Sequence, residues 1–252
     1  MKKTIFILTL FLLLFNPVFA AKPFVQKEYT TQAADGFTIK STLEYNRVKG
    51  KKDYHTVVLL HSLGYSSQWW DTLPQELINN GYAVLMIDLR GHGKSVFNKS
   101  LVRMSWNNMT NNAFAKYPND VKSVIKTVTS ENSKTTFFNT WAIIGSDIGA
   151  STAIIATDEI NNKPKTMVFL SPVVNTKGLY TPVHLANLNH IDIFSISGTE
   201  DTSGKQAEEY LKRFSQSTFA TYTSESKSNG MLLLKNDKQL ARIITSWLKE
   251  YL

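Results

Sequence analysis

Short runs that are apolar on both faces constrain this chain most. Thr56-Val57-Val58-Leu59-Leu60 is the first, and Tyr82 to Ile87 the second. Trp141-Ala142-Ile143-Ile144, Met167-Val168-Phe169-Leu170 and Ile191 to Ile196 follow. A strand with no polar face has no side to show to water, so such runs belong inside a parallel sheet covered on both sides. Between them lie helical stretches: Gln68 to Asn80, Asp120 to Ser130, Ile148 to Ala156 and Lys205 to Phe214. In the second of these, Val121, Val124, Ile125 and Val128 share one helix face. Strands alternating with helices predict an α/β domain with a mainly parallel sheet and helices on both faces.

The ends of the chain extend the pattern. Phe24 to Thr31 and Phe37 to Tyr45 read as two strands around the turn Ala34-Asp35-Gly36. Thr218 to Tyr222 reads as a short late strand. A last helix is expected from Asn236 or Asp237, with Leu240, Ile243, Ile244, Trp247, Leu248 and Tyr251 as its apolar stripe. No repeat or linker-like stretch divides the chain, so residues 21–252 are expected to be one domain. Residues 1–20 resemble a secretory signal. Lys2 and Lys3 precede an apolar run from Ile5 to Phe15, and Val18 and Ala20 hold the small positions before a cut. The run is shorter than the ~20 residues of a spanning helix. Export to the periplasm or medium is therefore expected, with no membrane span left after cleavage.

Composition excludes several functions. The chain has 0 Cys, so disulfide scaffolds, thiol nucleophiles and Cys-ligated zinc are ruled out. The net charge of +8 is scattered. Its densest patch, Lys49-Gly50-Lys51-Lys52, is too short for a nucleic-acid footprint, so no nucleic-acid partner is expected.

Ligands in open parallel sheets bind beyond the carboxyl ends of the strands. Three turns there hold chemistry: His61 to Ser67, Asp88 to Ser95, and Gly145-Ser146-Asp147-Ile148-Gly149. The third has the form of a nucleophile elbow, a strand, a sharp bend and a helix. Such a bend needs small residues two before and two after its tip. Gly145 and Gly149 hold those places, so the tip is Asp147.

On these residues the chain resembles the α/β-hydrolase superfamily, in particular its small cap-less members, the dienelactone hydrolases and minimal serine esterases. The stretch Val57 to Ser95, with Trp70 and Asp88-x-Arg90-Gly91-His92-Gly93-x-Ser95, is its most specific part. The resemblance implies an α/β-hydrolase fold and a catalytic triad. Carried over residue by residue, the nucleophile falls on Asp147. The acid falls on Asp201, in Gly198-Thr199-Glu200-Asp201, and the His position falls on Asn229. It also implies an oxyanion hole from the backbone N–H groups of Leu63 and Ile148. No His follows His190. Asn has no nitrogen that accepts a proton near neutral pH, and a carboxylate at 147 sets negative charge beside a hole built for an anion.

The expectation is a hydrolase homologue with a departed triad and no ordinary serine-esterase activity. It would hold a small ester-like or envelope ligand in the strand-end pocket, with no cofactor and no metal. Two other readings stay open: an active hydrolase using Asp147, and a non-catalytic partner-binding envelope protein. His61 and His92 are expected to bond neighbouring loops, Arg90 to brace its own turn, and Trp69 and Trp70 to form core and site wall. The segment Val96 to Lys116 is a candidate small lid.

Overall fold

A computed structural model describes residues 24–252. The expected signal lies outside the described residues. The chain runs β1 (Phe24–Gln32), β2 (Thr38–Asn46), β3 (Thr56–Leu60), α1 (Leu73–Asn79), β4 (Ala83–Ile87), α2 (Asn111–Phe114), α3 (Tyr117–Ser130), β5 (Trp141–Ser146), α4 (Ile148–Glu159) and β6 (Thr166–Leu170). A small hairpin of β7 (Asn175–Thr176) and β8 (Leu179–Tyr180) leads to α5 (Pro182–Leu185). Then come β9 (Asp192–Gly198), α6 (Thr202–Lys212), β10 (Phe219–Ser224), α7 (Leu232–Asn236) and α8 (Leu240–Tyr251).

Eight strands form one sheet in the order β1-β2-β4-β3-β5-β6-β9-β10. The β1–β2 and β2–β4 pairs are antiparallel and every later pair is parallel. All residues of β3, β4, β5 and β6 are buried, as their two-sided apolar runs require. Alternate strand residues then feed two cores. Val58, Leu60, Ile143 and Phe169 pack with α3 and α4, through Val121, Val124, Ala153 and Ile154. Val57, Leu59, Ile144 and Val168 pack on the other face with α1 and α8, through Leu73, Leu77, Ile244 and Leu248. This two-sided packing is the α/β architecture the alternation implies.

Two expectations change. The stretch 68–80 is not one helix. A 3-10 turn covers Ser67–Trp69 and the α-helix begins only at Leu73. Asp71 between them adopts φ 50°, which no right-handed helix accommodates. The last helix likewise opens at Leu240, after a separate short helix over Leu232–Asn236. His184 lies in α5 and pairs with Asp158 at 2.8 Å.

Candidate active site

Asp147 stands between β5 and α4 with φ 52° and ψ −118°. A non-glycine residue in this region carries strain of roughly 1–3 kcal/mol. Its surroundings explain why it holds. An added Cβ at Gly149 would fall 2.0 Å from the Leu60 carbonyl oxygen, and one at Gly145 would fall 2.5 Å from Ala150. Both glycines let α4 pass hard against β3 and β5. That approach throws the tip residue out at the strand ends.

The Asp147 carboxylate reaches across to the turn after β3. Its Oδ2 accepts the Leu63 N–H at 3.2 Å. Burial pushes the Asp147 carboxyl above the usual range, opposed by the N–H groups of Leu63 and Ile148, while the Asp201 charge adds to the rise. The two backbone donors named as an oxyanion hole thus meet a resident carboxylate.

Asp147, Asp201 and Asn229 line one cavity of about 300 Å³, together with Ser62, Tyr65 and Met231. Asp201 directs Oδ1 inward to its own helix. It caps α6 by accepting the Gly204 N–H at 2.9 Å and the Ser203 hydroxyl at 3.2 Å. Its Oδ2 is buried without a partner among the described residues. Asn229 is exposed at the rim. The next residue is pinned: the Gly230 N–H donates to Ser171 Oγ at 2.7 Å. Ser171 itself has φ 50°. Ser62 and Ser146 share a hydroxyl–hydroxyl bond of 2.7 Å beneath the cavity.

The two histidines of the neighbouring turns are fully engaged. His61 Nε2 accepts the Leu89 N–H at 2.9 Å, and its Nδ1 faces the Ser62 carbonyl at 2.8 Å. His92 Nε2 accepts the Gly64 N–H at 3.0 Å, and its Nδ1 faces the Arg90 carbonyl at 3.1 Å. Each ring is therefore neutral, donating from Nδ1 and accepting at Nε2. Burial lowers the His61 pKa to about 4, helped by the neighbouring His92, and burial lowers that of His92 too. Neither ring lines the cavity.

Arg90 does more than brace its own turn. It pairs with Asp120 of α3 and with Asp35 of the β1–β2 turn. Trp70 is core, while Trp69 is 51% exposed beside Tyr65. The segment Val96–Lys116 does not close over the cavity. Its Trp106 ring stacks on His92 at 5.7 Å, and none of its residues lines the pocket. Serine hydroxyls were missed by the sequence reading: Ser62 and Ser171 gave no motif of their own and become visible only once the loops meet.

The sequence pattern described as Serine aminopeptidase, S33 matches residues 51–223. The chain belongs to that family. The match takes in the three turns and the Asp201 loop. The family is named for a serine, and the elbow tip in this member is Asp147. Among curated proteins, a "Probable lipase" of Schizosaccharomyces pombe is 25% identical over 168 residues, 60% of this chain and 35% of that protein. The chain thus spans about a third of that relative. Among solved structures, an esterase of Pyrococcus furiosus aligns at TM-score 0.68 with 18% identity, covering 90% of this chain and 93% of that one. A dienelactone hydrolase from Anabaena variabilis aligns at TM-score 0.64 with 15% identity, covering 90% and 99%. These likenesses place the fold among the α/β-hydrolases. No described helix is long and apolar enough to cross a membrane.

Proposed function

We propose that this family member is an exported ligand-binding protein that has lost serine-hydrolase turnover. The observation that carries the reading is the Leu63 N–H bond to Asp147 Oδ2. In acyl transfer those donors must be free for the oxygen that becomes negative in the transition state. Here a carboxylate meets them first. A substrate carbonyl would have to displace it, and would then find no hydroxyl at the elbow tip.

The missing base supports the same reading. Asn229 takes the position implied for the triad His, and an amide cannot accept the proton. His61 and His92 spend both ring nitrogens on backbone groups. An aspartate attacking carbon directly would form an ester intermediate, and its hydrolysis needs a base to activate water. No imidazole lines the cavity to serve.

A fluorophosphonate probe tests this. Intact-mass measurement on the purified full chain should show no adduct after incubation. An adduct lost in Asp147→Ala would overturn the reading.

A further inference from the structure

The segment Val96–Lys116 leaves the cavity uncovered, and its first part presents a different feature. Phe97, Leu101 and Val102 are 43%, 78% and 56% exposed. They are three of the nine large apolar side chains that the described residues expose, and they fall within six positions. Single apolar residues on a surface need no explanation, but a cluster does. The hairpin that carries them is held by its own bonds. Phe97 and Arg103 form an antiparallel bridge, and the Met104 N–H donates to the Val96 carbonyl at 2.7 Å. Asn98 Oδ1 accepts the N–H groups of Ser100 and Val102 at 3.0 and 2.9 Å. The Thr38 N–H donates to the Phe97 carbonyl at 2.9 Å, which ties the hairpin to the start of β2. Leu101 at the tip has φ 59°, a backbone that suits Gly or Asn better than Leu. The fold thus holds a large apolar side chain out in water where a small or polar one is easier.

The charges around the tip have one sign. Between Asp88 and Asp120 the sequence has no Asp or Glu and five Lys or Arg residues. Arg90 pairs with Asp35 and Asp120, Lys94 with Glu28, and Lys116 with Asp35. Lys99 and Arg103, both exposed beside the apolar tip, make no ion pair among the described residues. We propose that the Phe97–Arg103 hairpin docks the protein on an anionic lipid surface. Phe97, Leu101 and Val102 enter the headgroup layer, and Lys99 and Arg103 meet lipid phosphates. Apolar insertion joined to cationic attraction is what binding at a lipid surface needs. A second copy of this chain fits poorly, because a twofold contact would bring two cationic hairpins together. The hairpin follows β4 at the strand ends, the edge of the sheet where the cavity lies. Docking there holds that edge toward the lipid, and it is independent of what the cavity does.

The chain has 0 Cys, so Val102→Cys takes a single nitrobenzoxadiazole dye. With vesicles of phosphatidylglycerol and phosphatidylcholine in equal parts, the emission of the labelled full chain should shift to the blue. Phosphatidylcholine vesicles alone should give no shift. The same dye on Asn161→Cys, exposed before β6 at the opposite sheet edge, should stay unchanged. That control separates docking by the hairpin from lipid contact by residues 1–20. In the Val102→Cys background, Lys99→Gln with Arg103→Gln should raise the half-saturating lipid concentration about fivefold per charge. Leu101→Asn suits the tip backbone, so it keeps the fold, and should raise that concentration about tenfold. The proposal falls if the dye at 102 shifts equally on phosphatidylcholine alone, or if the variants respond as their parent does. A shift without lipid that grows with protein concentration would make a second copy the occupant and overturn the lipid surface. No shift on any vesicle would overturn it too and leave the hairpin to a protein partner.

Discussion

Two buried polar regions lie side by side at the strand ends, and they are finished differently. In the first two turns, the described polar groups close on one another. Asp88 accepts the N–H groups of Ser67 and Lys94, both at 2.8 Å. His61 and His92 each bridge two backbone groups, and Arg90 ties α3 to the β1–β2 turn. In the elbow cavity, which shares Ser62, Leu63 and Tyr65 with the first turn, Asp201 Oδ2 has no partner among the described residues, Asp147 is held in a strained bend, and Asn229 hangs at the rim. Buried polar groups are ordinarily paired, and an exception asks for a reason. The closed network holds the fold together. The open one is where the proposed ligand would sit. The fold of the family is thus kept around an elbow whose tip is Asp147.

Breaking the closed network should cost most. Arg90→Ala leaves Asp120 buried and unpaired on α3, and should lower unfolding free energy by about 3–5 kcal/mol in urea titration. A loss under about 1 kcal/mol would show that the ion pairs stabilise no more than surface ones do. The elbow's close approach comes next. Gly149→Ala sets a Cβ against the Leu60 carbonyl and should cost about 2–3 kcal/mol, read by the same titration. An unchanged urea midpoint would mean that α4 is free to shift outward.

The neutral histidines sharpen the contrast through pH. An unfolded His titrates near about 6.5, while His61 in the fold is lowered to about 4. Because the folded state holds the ring neutral, its contribution is fully present above pH ~6.5 and is lost as pH falls toward the folded value. The urea midpoint should therefore drop on acidification across that window, and less steeply in His92→Gln. A midpoint flat through the window contradicts the tautomers assigned above.

The smallest effect belongs to the open region, and it has the opposite sign. Asp147→Asn removes a buried charge while its amide oxygen still accepts from Leu63. Stability at neutral pH should rise by about 1 kcal/mol. The gain should shrink in acid, as the raised Asp147 carboxyl of wild type takes up its proton. Destabilisation by this variant would show that the negative charge itself holds the elbow.

How much of this was legible in the sequence follows from which forces act locally. The buried strands were readable because two-sided apolar runs have one home. The elbow was readable because Gly145 and Gly149 answer a steric demand that no other residue meets. The break at Trp70–Thr72 was missed although Pro74 marks it: a proline belongs in the first turn of a helix and cannot continue one running on from Gln68. The lid expected of Val96–Lys116 failed because Trp106 found a flat partner in His92, a contact that no local pattern marks. The sequence placed Asp147 beside the donors of Leu63 and Ile148. That its carboxylate would turn onto the Leu63 N–H depends on a side-chain direction that spacing does not encode.

Hydrolysis of a short p-nitrophenyl acyl ester by the purified full chain, beside its Asp147→Ala variant, tests the central claim most directly. With a carboxylate on the Leu63 donor and no imidazole lining the cavity, the two proteins should show the same background rate. Turnover by wild type that disappears in Asp147→Ala would contradict the account and make Asp147 a working nucleophile.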